Sequence, residues 1–272
     1  MAENHTGTQK DASKGESRRE RILRMLEQDG QVRVNQLAER LGTTAVTIRS
    51  DLSAMEKAGL VERIPGGALP TGVNLFSQMF QRGKAVNAGA KRAIALDVAR
   101  QVEDGDTLFI NGGTTTYYAA QVLKKAKRRL IVITNSISIA LELGTAPTFT
   151  VILTGGQVNS YYSFTCGSEA LDQLRRYQVK KAILSIDGIA ENGIMTVHPD
   201  ESTIAKMMIE RSRQRIIIAD SSKVGVEGLC TICSLDQVDM LITDSGASRE
   251  ATETIKRAGV EVRLVEKESA EE

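Results

Sequence analysis

The chain has 272 residues, of which 41% are hydrophobic and 25% charged, and its formal net charge is +1. This length suits two domains of unequal size, and the near-neutral charge means that any nucleic-acid surface must be local. The absence of an apolar run of roughly 20 residues excludes a membrane-spanning helix, and three cysteines argue for a reducing cytoplasm rather than a disulfide scaffold.

The first 69 residues predict a tail followed by a small helical domain. Residues 1–17 are polar and lack the apolar core of a secretory signal, so we expect a disordered tail there. From residue 18 the apolar spacing predicts a helix that ends at Gly30. Asn35 is expected to cap a second helix that ends at Leu41, and Thr44 a third that ends near Ala58.

Two helices joined by a turn at Gly42 predict a helix-turn-helix, whose second helix normally enters the major groove of DNA. After it, residues 60–64 alternate like a strand and residues 65–67 form a turn, which together predict a wing, so that residues 18–69 form a winged helix-turn-helix domain. A helical interaction module with a solvated polar face stays an alternative at this point. The residues predicted to contact DNA are Thr44, Ala45, Thr47, Arg49, Ser50 and Arg63.

Residues 70–87 form a loose segment with a few apolar side chains, among them Leu75, Phe76, Met79 and Phe80, and we expect a linker with one short helix. From residue 88 to residue 267 helical segments alternate with short, almost continuously apolar strands. This pattern predicts an α/β domain with a mainly parallel sheet covered on both faces, and ligand sites of such sheets lie at the carboxyl ends of the strands.

Polar residues and glycines follow these strands. The segment from Asn111 to Thr116 is glycine- and threonine-rich and opens a helix, which favours binding of a phosphate group, and Lys223 would supply a cation. A helix cap and ordinary turns explain each piece separately, but jointly they favour an anionic small molecule. The predicted effector-binding residues are Asn111, Gly113, Thr114, Thr115, Thr116, Asn135, Gly156, Asp187, Glu201 and Lys223.

The stretch from Thr44 to Ala68 resembles the DNA-binding domain of the DeoR family of bacterial sugar-metabolism repressors. That family's pattern is approximately S-x-x-T-[VI]-R-[RN]-D-L-x-x-L-E-x-x-G-x-[LI]-x-R-x-x-G-G-A. Ser50 stands where Arg or Asn is commoner, and Pro65 where His is common, so base preference or affinity is expected to differ from the family norm.

Residues 91–265 resemble the effector domain of the same family, which is similar in fold to pentose-phosphate isomerases. The family's D-x-G-[ST]-T element falls on 111–115, where Asn111 replaces the usual Asp, and its D-S-S-K-x-G element on 220–225. The resemblance implies a cytoplasmic homo-oligomer, dimer or tetramer, that binds double-stranded operator DNA. It further implies a repressor of a carbohydrate catabolic operon that a phosphorylated sugar releases from DNA.

Two alternatives stay open at this point: a sugar-phosphate isomerase with a DNA-binding appendage, and a regulator whose α/β domain only oligomerises. Asp187 and Glu201 could act as bases, but Ala190 stands where the resembling isomerases have a second Asp, and no Lys lies between those two acids. We therefore expect binding without turnover, with no catalytic residue, cofactor or metal. Cys230 and Cys233 are expected to be small buried residues rather than zinc ligands.

Overall fold

The computed structural model describes residues 17–26, 29–71, 80, 82–159 and 162–267. The chain divides into two compact units, Met1–Gln81 and Arg82–Glu272. The predicted tail lies outside the described residues up to residue 16, and so do residues 72–79 and 81 of the predicted linker. Within the described ranges, no helix combines the length and apolar character that crossing a membrane requires.

The first unit is a winged helix-turn-helix, as predicted. Its helices cover residues 17–26, Val34–Leu41 and Ala45–Lys57. Its strands are β1 (Val32–Arg33), β2 (Val61–Ile64) and β3 (Gly67–Pro70), which pair antiparallel in the order β1-β3-β2. The apolar spacing of the sequence accounts for the core, because side chains at helical intervals of three and four form its buried cluster. These residues include Ile22, Leu26, Leu37, Ile48, Leu52 and Met55.

One boundary in this unit differs from the prediction. The second helix begins at Val34, so Asn35 lies inside it, and its N-cap Arg33 makes no side-chain capping bond. The amide of Val34 instead donates to the carbonyl of Gly66 at 2.9 Å. The turn of the wing therefore supplies the acceptor that a capping side chain would otherwise provide, and a contact between distant residues sets the helix start.

The described part of the second unit contains twelve strands, six α-helices and a helical segment at residues 82–85, which lies within the predicted linker. The strands are β4 (Thr107–Ile110), β5 (Ile131–Thr134), β6 (Thr150–Leu153), β7 (Gln157–Asn159), β8 (Phe164–Cys166), β9 (Val179–Ser185), β10 (Gly188–Ala190), β11 (Gly193–Thr196), β12 (Ser212–Ile218), β13 (Cys230–Cys233), β14 (Met240–Asp244) and β15 (Glu261–Val265). The helices are Ala88–Gln101, Thr114–Ala126, Ile137–Gly144, Ser168–Arg175, Pro199–Glu210 and Arg249–Arg257.

Seven of these strands form one parallel sheet in the order β15-β14-β12-β9-β4-β5-β6. Both of its faces are covered, since Phe109 packs in one apolar cluster while its neighbours Leu108 and Ile110 pack in another. Burial on both sides explains why the strands are continuously apolar instead of alternating. The α/β class with a mainly parallel sheet is thus confirmed.

The strand order places a topological switch point between β4 and β9. From β4 the chain continues to β5 on one side of it, and later returns to β9 on its other side. The two connections leave in opposite directions, which opens a crevice at the carboxyl ends of these two strands. The residues that follow β4 and β9 therefore have the favoured position for binding a ligand.

Two small antiparallel sheets, β10-β11-β13 and the hairpin β7-β8, were not predicted. Cys230 and Cys233 lie on β13, where Cys233 is buried in the core and Cys230 is partly buried. Among the described residues no group of three or more His, Cys, Asp or Glu is arranged to hold a metal ion.

Candidate functional site

The N-terminus of the helix Ala45–Lys57, here called the recognition helix, is fixed by two threonines. The hydroxyl of Thr44 accepts from the amide of Thr47 at 3.2 Å, and the two hydroxyl oxygens lie 2.9 Å apart. Threonine at this position satisfies one of the amides that a helix start leaves without an intrahelical partner. Both predicted DNA contacts thus also hold the first turn in shape.

The outer face of the recognition helix carries the other predicted DNA contacts. Arg49 and Ser50 are exposed, and Ala45 is partly buried. Val46, which the sequence analysis did not select, is 72% exposed. An exposed branched apolar side chain in the first turn of such a helix suits contact with a thymine methyl group. The available signal was that Val46 lies outside the buried stripe formed by Ile48 and its helical neighbours.

Arg63 lies on β2 and contacts the recognition helix. Its Nη1 donates to the carbonyl of Arg49 at 3.4 Å and to Oγ of Ser53 at 3.2 Å, and its Nε donates to the carbonyl of Gly67 at 3.3 Å. This guanidinium group therefore ties the wing to the recognition helix. Its predicted contact with DNA phosphate stays a prediction and would have to be made from this anchored position.

At the switch point, Asn111 bridges the carboxyl ends of β4 and β9. Its side chain has no solvent exposure. Oδ1 accepts from the amide of Ser185 at 2.9 Å, while Nδ2 donates to the carbonyl of Ser185 at 2.9 Å and lies 3.5 Å from Oε1 of Glu201. The amide group of Asn111 thus continues the pairing of the two strands one residue beyond β4.

The turn after Asn111 requires glycine. Gly113 has φ +154°, and a Cβ atom there would lie 2.0 Å from Oγ of Ser185. The helix Thr114–Ala126 starts immediately afterwards and has no side-chain cap, so the amides of its first turn have no intrahelical partner. Thr115 and Thr116 are buried, and the hydroxyl of Thr116 donates to the carbonyl of Gly113 at 3.0 Å. Thr116 would therefore contact a ligand through its backbone amide.

Two carboxyl groups and one ammonium group lie beside this turn. The hydroxyl of Thr196 lies 3.0 Å from Oδ2 of Asp187 and 3.3 Å from Oε2 of Glu201. Nζ of Lys223 lies 3.6 Å from Oδ1 of Asp187. The pKa of Glu201 is raised to about 8, chiefly by removal from solvent and also by the charge of Asp187, while the bond from Thr196 opposes both effects. At neutral pH Glu201 is therefore mainly protonated and can donate a hydrogen bond.

Two predicted effector residues, Asn135 and Gly156, follow β5 and β6 and contact the hairpin β7-β8, which also borders the turn after Asn111, since a Cβ atom at Gly112 would lie 3.6 Å from Cβ of Phe164. Asn135 donates to the carbonyl of Thr165 at 3.1 Å, and its Oδ1 has no hydrogen-bond partner among the described residues. Gly156 has φ +121°, and a Cβ atom there would lie 2.5 Å from the carbonyl oxygen of Cys166. Close packing against the hairpin thus explains the glycine at 156.

Sequence reasoning missed two members of the switch-point group, Ser185 and Thr196. Ser185 ends β9 and pairs with a residue 74 positions away, and Thr196 ends the unpredicted strand β11. The only sequence signal for Ser185 was its hydroxyl at the end of an apolar strand. Nothing local in the sequence marks Thr196.

Both units match models of one protein family. Residues 18–70 match the DeoR-like helix-turn-helix domain, and residues 86–245 match the DeoR C terminal sensor domain. The chain belongs to the DeoR family. As a DeoR protein it is a DNA-binding transcriptional regulator with a sensor domain, and not an enzyme, which confirms the family resemblance and the expected lack of catalytic function.

Relatives of this DeoR chain align over most of their length. It is 32% identical over 251 residues to a putative aga operon transcriptional repressor of Escherichia coli O157:H7, covering 91% of this chain and 93% of that protein. It is also 32% identical over 232 residues to the lactose phosphotransferase system repressor of Streptococcus mutans serotype c, covering 84% and 92%. Among solved structures, ribose 5-phosphate isomerase A of Methanocaldococcus jannaschii is a distant match, with a TM-score of 0.36, 16% identity, and coverage of 49% of this chain and 52% of that chain.

Proposed function

We propose that this DeoR-family regulator represses a carbohydrate catabolic operon in the cytoplasm and leaves its operator when a phosphorylated sugar binds at the carboxyl ends of β4 and β9. The names of two relatives, repressors of the aga operon and of the lactose phosphotransferase system, support the link to carbohydrate metabolism. The observation that carries the proposal is the grouping of anion-binding and hydroxyl-binding groups at the switch point.

The phosphate group would bind at the start of the helix Thr114–Ala126. The amides of a helix's first turn attract an anion, and the glycine at position 113 lets the backbone approach it closely. Lys223, on the short 3₁₀ helix Ser221–Lys223, would add a charge-assisted hydrogen bond. Because its ammonium lies 3.6 Å from Asp187, binding of the phosphate competes with that ion pair.

The sugar hydroxyl groups would bind to the two acids of the site. Asp187 accepts hydrogen bonds, and Glu201, with a pKa of about 8, donates one at neutral pH. A donor beside an acceptor matches a pair of neighbouring hydroxyl groups. Asn111 cannot act as a base, because a carboxamide does not take up a proton near neutral pH, and its oxygen and nitrogen are bonded to the backbone of Ser185; this accords with binding without turnover.

In the first unit, the residues at the N-terminal end of the recognition helix would enter the major groove. Arg49 offers a planar guanidinium group to a guanine or a phosphate. The full set of proposed contacts is Thr44, Ala45, Thr47, Arg49, Ser50 and Arg63. We further propose a homo-oligomer, a dimer or tetramer, that binds half-sites about one helical turn or a multiple of it apart.

Release from DNA follows from linkage. A ligand that binds the DNA-free arrangement better must weaken DNA affinity by the same coupling free energy, typically about 1–3 kcal/mol. The test is a thermal-shift screen of the full chain against sugar phosphates and their unphosphorylated parents. A ligand at 100 times its Kd stabilises its domain by about 2.7 kcal/mol.

We expect stabilisation by one or a few phosphorylated sugars, lost in Lys223→Ala, with the sugar recovered chemically unchanged. Arg49→Ala is the matched control in the other unit and should leave the stabilisation intact. Stabilisation by the unphosphorylated parents alone, or conversion of the sugar to its isomer, would contradict the proposal.

A further inference from the structure

The parallel sheet of the second unit ends on two strands of opposite character. β15 forms one edge and carries two charged residues, Glu261 and Arg263, which pair with each other at 3.6 Å. Charged side chains on an edge strand prevent it from pairing with another chain. β6 forms the other edge, and its four residues, Thr150–Leu153, are uncharged and none of them is buried. The β6 edge therefore lacks the protection that the β15 edge has.

The lack of charge extends well beyond β6. Although 25% of the chain is charged, residues 143–168 contain no Asp, Glu, Lys or Arg. Apolar side chains are exposed in and beside this stretch, Leu153 by 41%, Val158 by 53%, and Leu141, on the helix that contacts β6, by 70%. An apolar edge without charge matches a partner surface that is also apolar and uncharged.

The backbone of β6 offers hydrogen bonds on its outer side. The amides of Thr150 and Thr154 donate to the carbonyls of Leu130 and Thr134 on the inner side, each at 2.9 Å. Successive residues of a strand direct their backbone groups to opposite sides. The N–H and C=O groups of Val151 and Leu153 therefore face away from β5, where no strand of the described chain pairs with them.

We propose that β6 is the interface between two copies of this chain, which pair antiparallel through the backbone groups of Val151 and Leu153. In the symmetric register, Val151 of each copy lies opposite Leu153 of the other, and the two residues exchange both hydrogen bonds. Ile152 then lies on the twofold axis opposite Ile152 of the other copy. No charged side chain of β6 is brought against another.

The absence of charge favours a second copy as the partner. In a twofold interface a residue on the axis meets its own counterpart, so a charge there repels itself. The same pairing of β15 about its middle residue would place Arg263 opposite Arg263, whereas β6 places isoleucine opposite isoleucine. This inference rests on the proposed homo-oligomer and names its surface, since a regulator that binds two half-sites needs two copies held together.

Cysteine crosslinking of the full chain under mild oxidation tests the register. Ile152→Cys should give a disulfide-linked dimer, because directly opposed residues of this kind lie about 4.5 Å apart at Cα, within the range of a disulfide. Thr150→Cys is the matched control, since its counterpart would lie roughly 13 Å away along the paired strands. The wild type, with free cysteines at 166, 230 and 233, gives the background.

Sedimentation equilibrium tests the surface without a crosslink. Leu153→Lys places a charge on the β6 edge and should raise the dissociation constant of the dimer about tenfold or more. Leu264→Lys makes the same change on β15, where Leu264 is 51% exposed, and should associate as the wild type does.

The failures are distinguishable. Association of Leu153→Lys equal to that of the wild type, or equal weakening by lysine at both edges, would overturn the β6 interface. Absence of a crosslink in Ile152→Cys, or equal crosslinking in Thr150→Cys, would overturn the register, and this pair decides even if Leu153→Lys does not fold. A wild type that stays monomeric would overturn both this inference and the proposed homo-oligomer, while the sugar-phosphate screen judges the proposed effector response separately.

Discussion

Replacing Asn111 by the aspartate usual in the family is expected to destabilise this chain in a pH-dependent way. Because the amide of Ser185 must donate to Oδ1, the amide nitrogen of Asn111 faces the carbonyl of Ser185, at 2.9 Å, and Oε1 of Glu201, at 3.5 Å. In Asn111→Asp an oxygen acceptor takes the place of that nitrogen, with no solvent exposure. A lost hydrogen bond together with a buried charge predicts a cost of about 2–4 kcal/mol at pH 8.

The direction in which this cost changes with pH follows from the introduced carboxyl group. Its acid form can donate to the carbonyl of Ser185 as the amide does, so folding raises its pKa above the usual ~3.9. The cost relative to the wild type is therefore small at pH 5 and grows as the pH rises through the raised pKa. Asn111→Ala is the matched control, since it loses the same hydrogen bond but introduces no titrating group, and its cost should not change with pH.

Urea unfolding followed by tyrosine fluorescence measures this loss of stability, because the signal reports unfolding of the second unit. The chain has no tryptophan, and all its tyrosines lie in the second unit, at Tyr117, Tyr118, Tyr161, Tyr162 and Tyr177. The difference in unfolding free energy from the wild type is compared at pH 5 and pH 8. Equal costs of Asn111→Asp at the two pH values would refute the assigned orientation of the amide and its role between β4 and β9.

Further predictions concern both units. Gly113→Ala should destabilise the second unit by about 3 kcal/mol, because residue 113 has φ +154° and its Cβ would lie 2.0 Å from a serine hydroxyl oxygen. Gly144→Ala is the control, since a Cβ there meets open space, and it should be neutral or slightly stabilising in the same urea assay. Glu201, whose pKa rises from 4.5 to about 8, should cost the wild type stability as the pH rises between those values, with an upper bound of about 5 kcal/mol. The unfolding free energy of Glu201→Gln relative to that of the wild type should therefore be higher at pH 8.5 than at pH 5. Parallel stability profiles of the two proteins against pH would contradict this. Arg49→Ala should weaken operator binding measured by fluorescence anisotropy and spare sugar-phosphate binding, Lys223→Ala should do the reverse, and equal damage to both activities in both variants would count against two separate sites.

Local patterns in the sequence were sufficient for most of the architecture. The spacing of Ile48, Leu52 and Met55 predicted the buried face of the recognition helix, and all three are buried. The apolar strands predicted a sheet covered on both faces, and β4 has that environment. These features are decided by residues a few positions apart, which is why periodicity finds them.

Contacts between distant residues account for what was missed. The start of the second helix depends on the carbonyl of Gly66, more than thirty residues away from Val34 in the chain. The group at the switch point is joined through Ser185, which lies 74 positions from its partner Asn111. Residues after each strand were predicted as one site, and the contact of Asn135 with the carbonyl of Thr165 on the β7-β8 hairpin was not foreseen. A rule based on strand ends cannot find the residues of such a hairpin, because it pairs residues outside the parallel sheet.

The central claim, that a phosphorylated sugar at the switch point releases this regulator from DNA, is tested most directly by one titration. Full-length protein is bound to a fluorescent DNA fragment from upstream of its own gene, and the anisotropy is followed as sugar phosphates or their unphosphorylated parents are added. We expect release by a phosphorylated sugar alone, with Lys223→Ala binding the DNA but no longer responding. Release that is unchanged in Lys223→Ala, or caused equally by the unphosphorylated sugar, would contradict the claim.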